Sequence, residues 1–247
     1  MELRLTGQLL VIGGARGIGA EVVRVASASG AKVAWTCTGG PAGCAASESL
    51  VREIPGATWR AIDCCDESAL RSYLTELPPI DYLVYNAGFT SPCPFAELNL
   101  AEWRRTVDIN LTGAFVALRA VLPGMKERGR GAIVLVGSAA VVSGGGGRAD
   151  YVAAKAGLEA LSKAVTREYA PYGIRCNVVH PSLCDTDLLR QRHPDPEHRA
   201  KLAAQVPLRR LGTPRDNGEA VLFFLSDAAS YLTAQAILVD GGRSYCK

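Results

Sequence analysis

The chain has 247 residues, 48% of them hydrophobic, with 27 basic and 24 acidic side chains and a net charge of +3. That length and apolar share suffice for one large core, and the even spread of apolar runs offers no linker to divide it, so a single domain over 1–247 is expected. Without long like-charge blocks the charge argues against a nucleic-acid surface, and no apolar run approaches the ~18 residues of a membrane span.

In chain order, short Val/Ile/Leu-rich runs fall at 8–12, 31–36, 57–62, 81–85, 131–137, 174–180 and 235–239. Most are unbroken rather than alternating, as strands covered on both faces should be. Helical periodicity fills 17–29, 43–53, 66–76, 100–127, 151–170 and 214–226. This alternation implies βαβ units and right-handed crossovers. The expected fold is α/β: a Rossmann-type, doubly wound parallel sheet of about seven strands with helices on both faces. The N-terminus runs directly into the first strand with no basic region, long apolar stretch and cleavage site in series, which predicts a soluble cytoplasmic protein.

The eight cysteines show no metal-ligand spacing, so they read as reduced thiols and no metal is expected. His193 and His198 lie in a Pro-, Asp- and Arg-rich stretch that reads as surface.

Ligands of such sheets bind beyond the carboxyl ends of the strands, so the residues there carry most weight. After the first strand stand Gly13, Arg16, Gly17, Ile18 and Gly19; after the third, Asp63; after the fourth, Asn86-Ala87-Gly88; after the fifth, Ser138; after the sixth, Pro181. Glycines that follow a strand and open a helix let backbone amides approach a pyrophosphate at the positive helix end. Tyr151 and Lys155 are four apart in a helical segment and share a face, and a neighbouring ammonium favours phenolate, lowering the tyrosine pKa.

Together, Gly13-x-x-x-Gly17-Ile18-Gly19, Asp63, Asn86-Ala87-Gly88, Asn110, Ser138, Tyr151-x-x-x-Lys155 and Asp240-Gly241-Gly242 resemble the short-chain dehydrogenase/reductase family over essentially the whole chain. The resemblance implies a catalytic set of Ser138, Tyr151, Lys155 and Asn110. Tyr151 would be the general acid or base, Ser138 a donor to the substrate oxygen, and Lys155 the holder of the nicotinamide ribose. Asn110 would position a water that links Lys155 to solvent. It also implies that Asp63, with Cys64 beside it, meets the adenine edge, that Asn86, Ala87 and Gly88 line the ribose, and that Pro181, Leu183 and Thr186 flank the nicotinamide, with Thr186 on the carboxamide.

The second strand ends in Trp35-Thr36-Cys37-Thr38 with no carboxylate to bind a ribose 2′-hydroxyl. Arg16 could pair with a 2′-phosphate, and Thr36 or Thr38 could add hydroxyls beside Cys37. NADP(H) is therefore expected ahead of NAD(H).

Three positions depart from the family pattern: Ile12 replaces a threonine, Tyr85 an asparagine and Ser182 a glycine. The first two remove polar groups that would fasten the glycine-rich loop. A substrate pocket is expected from 89–95, 139–148 and an irregular insertion at about 183–206, with the Gly144 to Gly147 run either a mobile wall or a spacer.

The closest branch in pattern is 3-oxoacyl-[acyl-carrier-protein] reductase-like. Tyr172 stands where a basic residue often docks the carrier, which favours a free ketone or secondary alcohol. A 3-oxoacyl-thioester reductase and an NAD-dependent alcohol dehydrogenase stay open as enzymes, and a non-catalytic dinucleotide-binding regulator as a different class. Alanine-rich faces on 100–127 and 151–170 suit a homotetramer or homodimer.

Overall fold

The computed structural model describes residues 3–145 and 148–245. Seven parallel strands form one sheet in the order β3-β2-β1-β4-β5-β6-β7. They are β1 (Gln8–Ile12), β2 (Lys32–Cys37), β3 (Thr58–Ala61), β4 (Ile80–Tyr85), β5 (Gly131–Val136), β6 (Ile174–Pro181) and β7 (Ala236–Val239). The expected strands are all present, and the strand order reverses between β1 and β4.

The helices are α1 (Gly17–Ala28), α2 (Pro41–Glu53), α3 (Glu67–Thr75), α4 (Leu100–Val107), α5 (Gly113–Arg128), α6 (Ala140–Ser143), α7 (Ala149–Tyr169), α8 (Asp187–Arg192), α9 (Pro196–Ala204) and α10 (Pro214–Leu225). Successive strand residues point to opposite faces, so each strand feeds two cores. On one face Leu9, Val11, Trp35 and Val134 pack with Val22 and Val25 of α1 and Val221 and Phe224 of α10. On the other, Leu10, Ile12, Leu83 and Ile133 meet Leu70 of α3, Leu118 of α5 and Leu158 of α7. Full burial of each such side chain contributes roughly 1.5–3 kcal/mol. Trp35 is completely buried, and its indole N–H is satisfied by Ser47 Oγ at 3.1 Å.

Two expectations are corrected. The helix expected over 100–127 is interrupted by a π-helical turn, Asp108–Thr112, where one extra residue is accommodated without ending the rod. The whole rod Leu100–Arg128 is long and apolar enough to cross a bilayer by length and composition. Ala114, Ala117, Leu118 and Val121 lie buried in the second core, which explains its apolar character. The stretch 183–206, expected to be irregular, carries α8 and α9. Thr186 caps α8 by accepting from Leu189 N, and Asp195 caps α9, with Pro196 at its first position. Of the glycine run, Gly144 takes a left-handed conformation (φ 66°), while Gly146 and Gly147 lie outside the described residues.

Candidate active site

The loop after β1 meets the end of β4 at the point where the sheet order reverses. Gly13 N and Gly14 N donate to Thr36 O at 3.1 and 3.0 Å, and Asn86 Nδ2 donates to Gly13 O at 2.8 Å. These bonds fasten the loop, so the loss of polar side chains at 12 and 85 does not leave it untethered. Gly13 has φ 83°, and a Cβ there would lie 2.8 Å from the Ala87 backbone. A Cβ on Gly19 would lie 2.2 Å from Gly13 O. Arg16 is the N-cap of α1 and makes no side-chain cap, so no side chain competes for the amides of the first turn. A backbone cradle with an uncapped positive helix end fits a dinucleotide pyrophosphate.

Tyr85 is fully buried and donates to Ile109 O, so the replacement for the usual asparagine anchors β4 to the π turn that carries Asn110. Burial pushes its phenol well above the ordinary tyrosine value. Asn110 Nδ2 donates to Phe89 O and Thr106 O, each at 3.0 Å. Its Oδ1 is buried with no partner. A Cβ on Gly88 would lie 2.7 Å from that Oδ1 and 3.1 Å from Lys155 Nζ, so Asn110 and Lys155 converge on the bare backbone of Gly88.

Lys155 is buried, donates to Val136 O at 2.8 Å, and is lowered by burial to about 8. Its Nζ lies 5.8 Å from the centre of the Tyr151 ring. Ser138 Oγ accepts from Ala140 N at 3.2 Å and is near enough to the Tyr151 hydroxyl to pull its pKa down. The structure therefore brings together Ser138, Tyr151, Lys155 and Asn110. It corrects one expectation: the Tyr151 phenol is raised, not lowered. Burial outweighs the pull of the Ser138 hydroxyl and the Arg192 charge, and Lys155 lies beside the ring without offsetting it.

Cofactor-side residues fall on the same edge. A Cβ on Gly17 would lie 3.5 Å from Thr186 Cγ2, so the loops after β1 and β6 face each other. Pro181 ends β6, and Leu183 lines a cavity of about 530 Å³ with Val206, Leu208 and Gly241. Ile18 packs on the first core and Cys64 on the second. Asp63 Oδ1 already accepts from Cys65 N at 2.9 Å, which occupies part of the carboxylate expected to face adenine. Asp63, Cys64 and Cys65 also bring their ligand atoms within 4.8 Å, a proximity that the sequence reading of the cysteines did not foresee. Burial raises the Cys64 thiol and pushes Cys65 up to about 12, so both are held protonated.

Sequence reasoning missed the support beneath the pair. Arg148 Nε and one terminal nitrogen donate to Asp150 at 3.1 and 2.7 Å, and that nitrogen also donates to Thr106 Oγ1 at 2.6 Å. Asp150 Oδ1 accepts from Tyr151 N at 2.8 Å. Burial raises the Asp150 carboxyl, and the Arg148, Thr106 and Tyr151 hydrogen bonds overcome it, leaving it below the ordinary value. This network joins α4 to the start of α7. It has no local sequence signal beyond an acidic residue at the helix N-terminus.

A parallel sheet with a glycine cradle at its switch point and a Ser-Tyr-Lys cluster beside it defines a dinucleotide-dependent oxidoreductase. Residues 13–244 match the family model described as enoyl-(acyl carrier protein) reductase. The chain is 38% identical to the 3-oxoacyl-[acyl-carrier-protein] reductase FabG of Escherichia coli (strain K12), over 94% of this chain and 95% of that protein. An oxidoreductase of the short-chain dehydrogenase/reductase family from Burkholderia thailandensis superposes with TM-score 0.89 at 34% identity, covering 97% of this chain and 93% of that one. A gluconate 5-dehydrogenase from Burkholderia cenocepacia J2315, in complex with NADP and tartrate, also gives 0.89 at 27% identity, covering 100% and 98%. The chain belongs to the short-chain dehydrogenase/reductase family. It is an oxidoreductase.

Proposed function

We propose that this single-domain enzyme interconverts a ketone and a secondary alcohol with NADP(H), using Tyr151 as the general acid or base. The observation that carries this reading is the convergence of Asn110 Oδ1 and Lys155 Nζ on the bare backbone of Gly88, with Lys155 Nζ 5.8 Å from the centre of the Tyr151 ring, at the strand edge that also holds the glycine cradle. When bound, the cofactor supplies or accepts the hydride. In reduction, Ser138 donates to the developing alkoxide and Tyr151 gives it a proton. A phenol held protonated by burial suits that role. In oxidation Tyr151 takes the proton, and Lys155, titrating at about 8, passes it toward the unpartnered Asn110 Oδ1, where a water completes the path to solvent.

The cofactor contacts are proposed at Gly13, Arg16, Gly17, Ile18, Gly19, Thr36, Cys37, Thr38, Asp63, Cys64, Asn86, Ala87, Gly88, Tyr151, Lys155, Pro181, Leu183 and Thr186. NADP(H) is favoured because Arg16 is exposed and close enough to the end of β2 to act on the Cys37 thiol. The N-terminus of α2 opens beside Thr38 with no acidic residue in its first turn, so a 2′-phosphate meets positive charge and no carboxylate. Phe95, Val142 and Leu188, one from each expected pocket segment, are 81%, 52% and 47% exposed and give the substrate side an apolar character.

A 3-oxoacyl thioester is the second reading. Lys126 holds its ammonium 4.3 Å from the ring centre of Tyr172, so a cation does occupy the surface where the sequence alone places an aromatic. A cytoplasmic homotetramer or homodimer is proposed from the exposed Leu100 and Phe115 on the α4–α5 rod and Ile237 on the edge strand β7. Sedimentation showing only monomer sinks the assembly.

The test is NADPH and NADH oxidation with a panel of free ketones and 3-oxoacyl thioesters. The proposal expects turnover of a free ketone and a higher kcat/KM for NADPH. A higher value for NADH refutes the cofactor assignment, and turnover of thioesters alone selects the second reading.

A further inference from the structure

We propose that His180 is a positioning residue that holds the Ser138 turn through a neutral imidazole and releases it on protonation. The proposal rests on the reading of Ser138 as catalytic.

The turn after β5 is tied to β6 through its backbone. Gly137 N and Ala139 N donate to Val179 O and Pro181 O of β6, each at 2.8 Å. The amide between them, Ser138 N, donates to a side chain instead: His180 Nδ1, at 2.9 Å. His180 thus completes the hydrogen bonding of a partly buried turn whose N–H groups need partners. The fit is steric as well, because a Cβ on Gly137 would lie 2.3 Å from Nδ1, so the ring seats against bare backbone.

An Nδ1 that accepts a hydrogen bond places the neutral ring's proton on Nε2. That nitrogen lies 2.9 Å from Glu159 Oε1, close, though not aligned as a hydrogen bond. Two demands therefore compete. Glu159 favours an imidazolium, whereas the Ser138 amide requires an unprotonated Nδ1. Protonation sets two N–H groups against each other, breaks the bond and frees the turn that aims the Ser138 hydroxyl at Tyr151.

The charged groups facing the ring come from α7: Glu159, and Lys155 one turn before it. The neighbours on β5 and β7, Gly137 and Leu238, carry no charge. Burial, helped by Lys155 and opposed by Glu159, keeps His180 below the ordinary histidine value of 6.5. The neutral, bonded state therefore prevails at neutral pH and is lost as pH falls below the usual histidine range. That window is separate from the titration of Lys155 at about 8.

The experiment compares pH profiles of kcat for the wild type, His180→Asn, His180→Ala, Glu159→Gln and Ser138→Ala, and follows the Ser138 amide by NMR across the same range. Asn keeps an acceptor at the position of Nδ1 but cannot titrate. The proposal expects an acid limb in the wild type that is absent in His180→Asn, with kcat at neutral pH close to wild type. His180→Ala should lower kcat about tenfold at neutral pH, the rate equivalent of one lost hydrogen bond, converge with the wild type at the foot of the acid limb where the wild-type bond is already broken, and leave cofactor Kd unchanged. Glu159→Gln should move the limb to lower pH, and the Ser138 amide shift should titrate with the His180 ring. An unchanged limb in His180→Asn, or a Ser138 amide that ignores the ring's titration, overturns the proposal. Wild-type kcat in His180→Ala alongside an inactive Ser138→Ala overturns it alone. Full turnover in Ser138→Ala overturns the catalytic reading instead, and the amide titration then decides whether His180 holds the turn.

Discussion

Lys155→Met should make the protein more stable while removing its activity. Burial lowers the lysine from 10.5 to about 8. At ~1.4 kcal/mol for each tenfold change, its charged form is disfavoured by about 3 kcal/mol in the folded chain. Between pH 8 and 10.5 the unfolded chain holds this proton and the folded chain does not, so stability rises with pH through that window. Below pH 8 both states are protonated and the full cost is constant. Methionine removes the charge but leaves Val136 O without its donor, a loss of about 1 kcal/mol. At pH 7 the variant should therefore be more stable by about 2 kcal/mol, and this advantage should disappear by pH 10 as the wild type sheds its proton. Urea unfolding of both proteins without cofactor, at pH 7 and 10, reads the difference, in which other titrating groups cancel. An advantage that stays constant with pH, or a variant less stable at pH 7, would refute the burial argument.

Arg16→Ala should raise KM for NADPH about tenfold and leave KM for NADH nearly unchanged, since one charge-assisted contact to the 2′-phosphate is lost; steady-state kinetics with both cofactors checks this. Arg148→Met strands the buried Asp150 carboxylate and should destabilise the fold by roughly 3–5 kcal/mol, with a matching fall in unfolding midpoint. Its kcat should fall with KM for cofactor little changed, because Asp150 holds the Tyr151 amide. Asn86→Ala releases Gly13 O and should weaken dinucleotide binding in calorimetry without changing substrate KM.

The strands were legible because a doubly covered parallel strand must be apolar throughout, and the switch-point loop because glycine is demanded where Gly13 meets Ala87. The caps of α8 and α9 were also written locally, in Thr186 and in Asp195-Pro196, but the expectation of an irregular insertion passed over them. The π turn at 108–112 was not legible, since its side chains continue the helical pattern on either side. Nor was the contact of Ser138 with His180, which joins residues 42 apart through the register of β5 on β6. The direction of the Tyr151 shift failed for a related reason: spacing supplies the neighbouring lysine but not the depth at which the phenol sits.

The most direct measurement is turnover and cofactor binding of Tyr151→Phe, which removes one hydroxyl and keeps the ring. The account predicts a fall in kcat of about 1000-fold, the weight of a general acid in the transition state, with NADPH Kd within twofold of wild type. Retention of even a tenth of wild-type kcat with an unaltered pH profile would contradict it.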